Sequence, residues 1–272
     1  MCTLIVLRRP DHPWPVLIGA NRDELDTRSW LAPGRHWPDR REVVAGMDTL
    51  GGGSWLGLND DGVVAAVLNR INTLGPAPGL RSRGELPLEA LDHASAAAAA
   101  DALAHLDPHA YRPFNLVVAD REQAFWVRAG AGPAAAAGAA SIEVMALPPG
   151  LSMITAYDRN DSQSARIRHF LPRLAGAAVP DPETGDWGDW QALLAARTGE
   201  DGAGPGGAMT IVTATGFGTV CSSLLALPGR PGSRSVWLFC AGRPGEQPWR
   251  PVDLAWKKTL DPGMATPGAA MG

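Results

Sequence analysis

Met1-Cys2-Thr3-Leu4-Ile5-Val6-Leu7 opens the chain, and the reading of these residues decides what the rest can be. Thr3 to Leu7 is a short apolar run closed by the turn-rich Arg9-Pro10-Asp11-His12-Pro13, the pattern of a buried strand. Cys2 stands directly before it. Methionine aminopeptidases remove an initiator methionine when the next side chain is small, and cysteine qualifies. A chain trimmed in this way begins with a thiol and a free α-amine on one residue. The amine titrates at about 8 and a thiol at about 8.5, so the amine can take the thiol proton at working pH. The competing reading makes Cys2 the first core position of an edge strand, because cysteine is among the most buried residue types.

Outward from this stretch, Val16–Ala20 predicts a second strand that runs into Asn21-Arg22-Asp23-Glu24, placing polar side chains at a strand end, where sites are often built. A loop through Trp37 leads to strand Val43–Met47. Gly51-Gly52-Gly53-Ser54-Trp55-Leu56-Gly57 and strand Val63–Leu68 make a hairpin ending in Asn69-Arg70. The triple glycine is no phosphate loop, since no Gly-Lys-Ser/Thr follows; glycines that let a hairpin approach another backbone closely fit better. Ser82 and Pro87 start a helix that continues through the alanine run to Ala104. His105 and His109 have metal-ligand spacing, but Pro108 breaks the helix that would align them, so both read as loop residues and no metal site is expected.

Strands Phe114–Ala119, Ala124–Arg128, Ser141–Ala146 and Gly150–Ala156 follow, with a Gly/Ala connection over 129–140. Helix Ser162–Leu174 puts Ile167, Phe170, Leu171 and Leu174 on one face and Arg166, Arg168 and Arg173 off it. A helix over Trp187–Arg197 and strands Met209–Thr213, Ser222–Leu227 and Val236–Cys240 complete an α+β layered protein. One domain is expected over 1–257, with 258–272 a disordered tail.

Composition narrows the class. Apolar residues make up 45% of the chain and charged residues 19%, with a net charge of −4, so neither nucleic acid nor an anionic membrane surface is indicated as partner. No apolar run is long enough to span a bilayer, and the opening run, ending at Arg8-Arg9-Pro10, is no secretory signal. Cys2, Cys221 and Cys240 are odd in number and lack Cys-x-x-Cys spacing, which favours a reduced, cytoplasmic protein.

Met1-Cys2, Ala20-Asn21-Arg22-Asp23-Glu24, Gly52-Gly53-Ser54-Trp55-Leu56-Gly57, Leu68-Asn69-Arg70 and Arg83-Gly84-Glu85-Leu86 together resemble the NRDE family, which includes the TANGO2 proteins. The resemblance is specific over the first ninety or so positions and weak beyond them. It implies the N-terminal nucleophile (Ntn) hydrolase fold, an αββα four-layer sandwich of antiparallel sheets, as in bile salt hydrolases and penicillin V acylases. It also implies roles: Cys2 as nucleophile, Asp23 as the group orienting amine and thiol, Asn69 as oxyanion donor. Asn21, Arg22, Glu24 and Arg70 are support or substrate-binding residues, with Arg22 pairing with Glu24 or binding an anionic group. The pattern departs from those enzymes at Ala20, where they carry arginine, and at Met153, where asparagine is frequent. Asp158 and Asn160 lie near enough in sequence to substitute, and Phe217–Ser222 lacks an arginine found in relatives.

Two functions follow from the resemblance. One is a cysteine amidohydrolase acting on a non-peptide C–N amide bond, needing no cofactor. The other is a non-catalytic carrier of haem, or of acyl-CoA or lipid, using the same pocket, as the family's links to haem movement and lipid metabolism imply. The residues themselves give no haem signal such as Cys-x-x-Cys-His.

Overall fold

The structure is a computed structural model that describes residues 2–130 and 141–255. Met1, most of the predicted 129–140 connection and the predicted tail 258–272 lie outside the described residues.

The first strand, β1 (Thr3–Arg8), is covered on both faces, and this is why it reads as an unbroken apolar run. Leu4 and Val6 face one core and Ile5 faces another. The chain continues through β2 (Val16–Leu25), β3 (Trp30–Gly34), β4 (Val43–Asp48), β5 (Leu56–Asn59) and β6 (Val64–Asn69) to helices α1 (Leu86–Leu91) and α2 (Ala96–Ala104). Strands β7 (Phe114–Ala119), β8 (Ala124–Gly130), β9 (Ser141–Ala146) and β10 (Gly150–Ile154) precede α3 (Ala165–Gly176) and α4 (Gly188–Leu194). Strands β11 (Phe217–Leu227), β12 (Val236–Cys240) and β13 (Trp249–Pro251) close the described chain.

These strands form two antiparallel sheets, ordered β10-β1-β2-β11-β12-β13 and β3-β4-β5-β6-β7-β8-β9. One apolar core, with Leu4, Ile18, Val44, Leu56 and Trp237, lies between them. A second packs α1 and α2 on the seven-stranded sheet through Leu91, Leu103 and Leu116. A third packs α3 and α4 on the six-stranded sheet through Ile5, Phe170 and Trp190. The order of layers is therefore α, β, β, α, the Ntn-hydrolase sandwich. Each large side chain fully buried in these cores contributes roughly 1.5–3 kcal/mol. No described helix is long and apolar enough to cross a membrane.

Several elements differ from the sequence reading. β2 does not stop at Ala20, because β11 pairs with it out to Leu25↔Phe217; Asn21–Glu24 lie inside a strand and alternate between its faces. The long helix predicted through Ala104 breaks after Leu91. Ser95 restarts it, its Oγ accepting the Ala98 N–H at 3.2 Å, an N-cap that ends one helix run and begins another. Residues 209–213 form no strand, since their backbone groups go elsewhere: Thr210 N–H donates to Ala196 O at 2.9 Å and Ile211 N–H to Thr219 Oγ1 at 2.8 Å. Strands β3 and β13 went unread, both short edge elements rich in Trp and Pro.

Candidate active site

The alternation along β2 sends its polar residues to different places. Asn21 and Asp23 face the α3/α4 layer, while Arg22 faces the space between the sheets. Asn21 is wholly occupied there: its Nδ2 donates to Leu194 O at 3.0 Å and Met209 O at 2.9 Å, and its Oδ1 accepts from Ser222 Oγ at 2.6 Å. It ties α4 and the 209 segment to the sheet.

Asp23 is held by groups that sequence reasoning missed. Its Oδ1 accepts from Thr219 Oγ1 at 2.6 Å and its Oδ2 from Arg166 Nη1 at 3.1 Å. The same Arg166 nitrogen donates to Thr3 Oγ1 at 2.5 Å. Thr219 reaches Asp23 because β11 carries a bulge between Thr219 and Cys221, which re-aims a side chain that strict alternation would send to the other face. Arg166 was read as off the apolar face of its helix, yet it is 3% exposed. The one signal for it was a cation in a helix's first turn, where the macrodipole disfavours it without a partner.

The backbone of Asp23 also holds Cys2. Its N–H donates to Cys2 Sγ at 3.4 Å, and the thiol faces its carbonyl oxygen at 3.6 Å. Burial, then the Asp23 carboxylate, pushes the Cys2 thiol up from its ordinary value, against the Asp23 N–H and the Arg22 guanidinium. The resting sulfur is thus a protonated thiol at neutral pH, and attack needs a base.

Cys2 opens on a cavity of about 210 Å³ at the ends of the sheets, which Glu24, Trp55, Asn69, Leu80 and Arg83 also line. Asn69 ends β6 opposite Phe114, and its amide bonds to no other described residue. Arg70, one position on, leaves the cavity: it binds Asn115 Oδ1 and Asp158 Oδ1, each at 2.7 Å. The predicted Arg22–Glu24 pair is not formed. Arg22 donates to Asp48 Oδ2 at 2.9 Å and lies over the Trp55 ring at 4.3 Å, while Glu24 is 3.8 Å from Arg28. Burial would raise the Asp48 carboxyl, but bonds from Arg28 and the Gly51 N–H, with the Arg28 and Arg22 charges, hold it below the usual range.

The glycine motif builds one wall. A Cβ on Gly53 would lie 2.4 Å from the Gly84 backbone, and one on Gly46 would lie 2.3 Å from Trp55. Two loops therefore pass backbone against backbone, joined by Ser54 N–H to Gly84 O at 2.7 Å.

Neither suggested substitute for the Met153 position reaches the cavity. Asn160 Oδ1 accepts the Met153 N–H at 2.7 Å, closing its own turn, and Asp158 pairs with Arg70 and Arg128. His105 Nδ1 is 2.8 Å from Asp101 O, and among the described residues no His, Cys, Asp or Glu group is arranged to hold a metal.

Fold and site together define a protein of the Ntn-hydrolase fold whose second residue presents a thiol to an internal cavity. The Transport and Golgi organisation 2 (TANGO2) family matches residues 1–146, more than half of the chain, and the chain belongs to that family. It is 33% identical over 121 residues to the Transport and Golgi organization protein 2 homolog of Bos taurus and 34% over 122 to that of Homo sapiens. Each match covers 40% of this chain and 40% of the relative, so the similarity spans two-fifths of those proteins. Among solved structures, the Caenorhabditis elegans ortholog of N-acylethanolamine-hydrolyzing acid amidase superposes with a TM-score of 0.53 at 15% identity, covering 85% of this chain and 95% of that one. The C2A mutant of conjugated bile acid hydrolase from Clostridium perfringens gives 0.48 at 12% identity over 89% of both chains.

Proposed function

We propose that the chain hydrolyses the C–N amide bond of a small molecule through Cys2, with the α-amine freed by loss of Met1 as its base. The observation that carries this reading is the Cys2 thiol, fixed by the Asp23 backbone while facing the cavity. Sγ attacks the amide carbonyl carbon and its proton passes to the α-amine. The tetrahedral oxyanion takes an N–H from the unpaired Asn69 amide, a donor worth about 3 kcal/mol when aimed where charge develops. The C–N bond then breaks as the ammonium returns the proton to the departing amine. Water hydrolyses the thioester, releasing the acid and restoring the thiol. The amide hydrolysis named for the C. elegans fold neighbour agrees with this reaction class.

The test begins with the intact mass of the purified protein. With Met1 absent, amide substrates are screened against wild type and Cys2→Ala, and a thioester is sought on Cys2 by mass spectrometry. A trapped thioester with turnover lost in Cys2→Ala supports the hydrolase. Retained Met1, or full haem or acyl-chain binding by Cys2→Ala with no adduct in wild type, moves the assignment to a carrier.

A further inference from the structure

At one end of the cavity stand two arginines that bond to no described carboxylate. Arg83 Nη1 donates to Thr73 Oγ1 at 2.9 Å and Pro113 O at 3.0 Å, and its Nη2 to Gly75 O at 3.2 Å. Arg112 Nη1 donates to Leu74 O at 2.8 Å and Pro76 O at 3.2 Å, and its Nη2 to Asn72 O at 3.1 Å. Every one of these partners is neutral. Together they pin the loop that roofs the cavity.

Around the rest of the wall each arginine meets a carboxylate. Arg22 and Arg28 converge on Asp48, with Glu24 beside Arg28. Arg81 meets Glu85 at 2.7 Å and Glu89 at 2.8 Å, and Asp23 has Arg166. The Arg83–Arg112 end is therefore where positive charge stands without a bonded carboxylate. Burial, and then the like charge of Arg112, bring Arg83 down to about 10, while Cys2 and Glu24 pull it back up. Of the five N–H groups of a guanidinium, Arg83 leaves its Nε–H and one Nη2–H without a described acceptor. A partly buried cation lacking a counter-ion is costly, and low-dielectric walls focus its field into the cavity it lines.

We propose that the substrate carries a carboxylate-class negative group beside its amide, and that the Arg83–Arg112 end of the cavity receives it. The inference deepens the hydrolase reading and rests on it for the amide. The anion neutralises this charge and takes the two spare Arg83 donors, a charge-assisted pair that a neutral isostere cannot reproduce.

The test uses a matched pair of probes, N-butanoylglycine and its neutral carboxamide, N-butanoylglycinamide. Binding is measured by calorimetry on full-length Cys2→Ala, which removes turnover from the readout. The carboxylate is expected to bind about tenfold tighter at low ionic strength, and the preference to shrink severalfold by about 0.5 M salt. Arg83→Lys keeps most of the preference and Arg83→Gln loses it; the salt series needs no arginine variant. Equal binding of the two probes, binding of neither, a salt-independent preference, or a preference intact in folded Arg83→Gln each overturns the proposal. Hydrolysis by wild type is scored separately. Anion preference without turnover removes the hydrolase and keeps the anion site, and turnover without preference does the reverse.

Discussion

Arg166→Gln is the substitution whose cost follows most directly from the structure. The Arg166 and Asp23 side chains are 3% and 0% exposed and their charged atoms stand 3.1 Å apart. At an effective dielectric of about 20 that separation corresponds to roughly 5 kcal/mol of attraction. Removing one partner of a buried pair costs about 3–5 kcal/mol, since the survivor remains buried and charged. Glutamine can still hydrogen-bond to Asp23, so the lower end, about 3 kcal/mol, is expected. That is a large share of a stability of about 5–15 kcal/mol. Equilibrium urea unfolding followed by tryptophan fluorescence should show the midpoint falling by about 1 M. A cycle with Asp23→Asn isolates the pair: the double variant should lose about 2 kcal/mol less than the sum of the singles. A loss below about 1 kcal/mol for Arg166→Gln, or strict additivity, would refute the claim that this pair anchors α3 to β2.

Other expectations concern the thiol and its cavity. Labelling of Cys2 by iodoacetamide should have its pH midpoint above the ordinary thiol value of about 8.5, because burial and Asp23 raise it; Asp23→Asn should lower that midpoint, and an unchanged or higher one contradicts the assigned cause. Asn69→Ala should cut kcat by about 10²–10³ with KM little changed, and steady-state kinetics showing a pure KM effect would make Asn69 a binding residue instead. Gly53→Ala should destabilise by about 1–3 kcal/mol, since its Cβ meets the Gly84 backbone at 2.4 Å; a thermal melt matching wild type would mean the two loops separate freely.

The sandwich was legible because the period-2 runs of a doubly covered sheet are continuous and apolar, as in Thr3–Leu7. The same rule misled at β2. Polar residues ended the apolar run, and the strand end was placed with them, whereas β11 holds the backbone extended through Asn21–Glu24. The glycine motif was read correctly as a close backbone approach, but which backbone it approaches was not in the local pattern. Arg22 and Glu24 share one face of β2, yet Arg22 found Asp48 at 2.9 Å, on a different strand, while Glu24 lies 3.8 Å from Arg28; long side chains take partners from other segments of the chain.

By itself, then, the sequence determined the layered class, the family and the short set of residues worth examining, since local periodicity and motif spacing are properties of contiguous chain. Only the tertiary structure decided which of them meet. Arg166 comes to Asp23 from far along the chain, and a bulge brings Thr219 to it. Arg83 and Arg112 share one cavity wall. These encounters depend on how helices and strands stack, and a guanidinium on a long stem takes its partner from whichever layer packs over it.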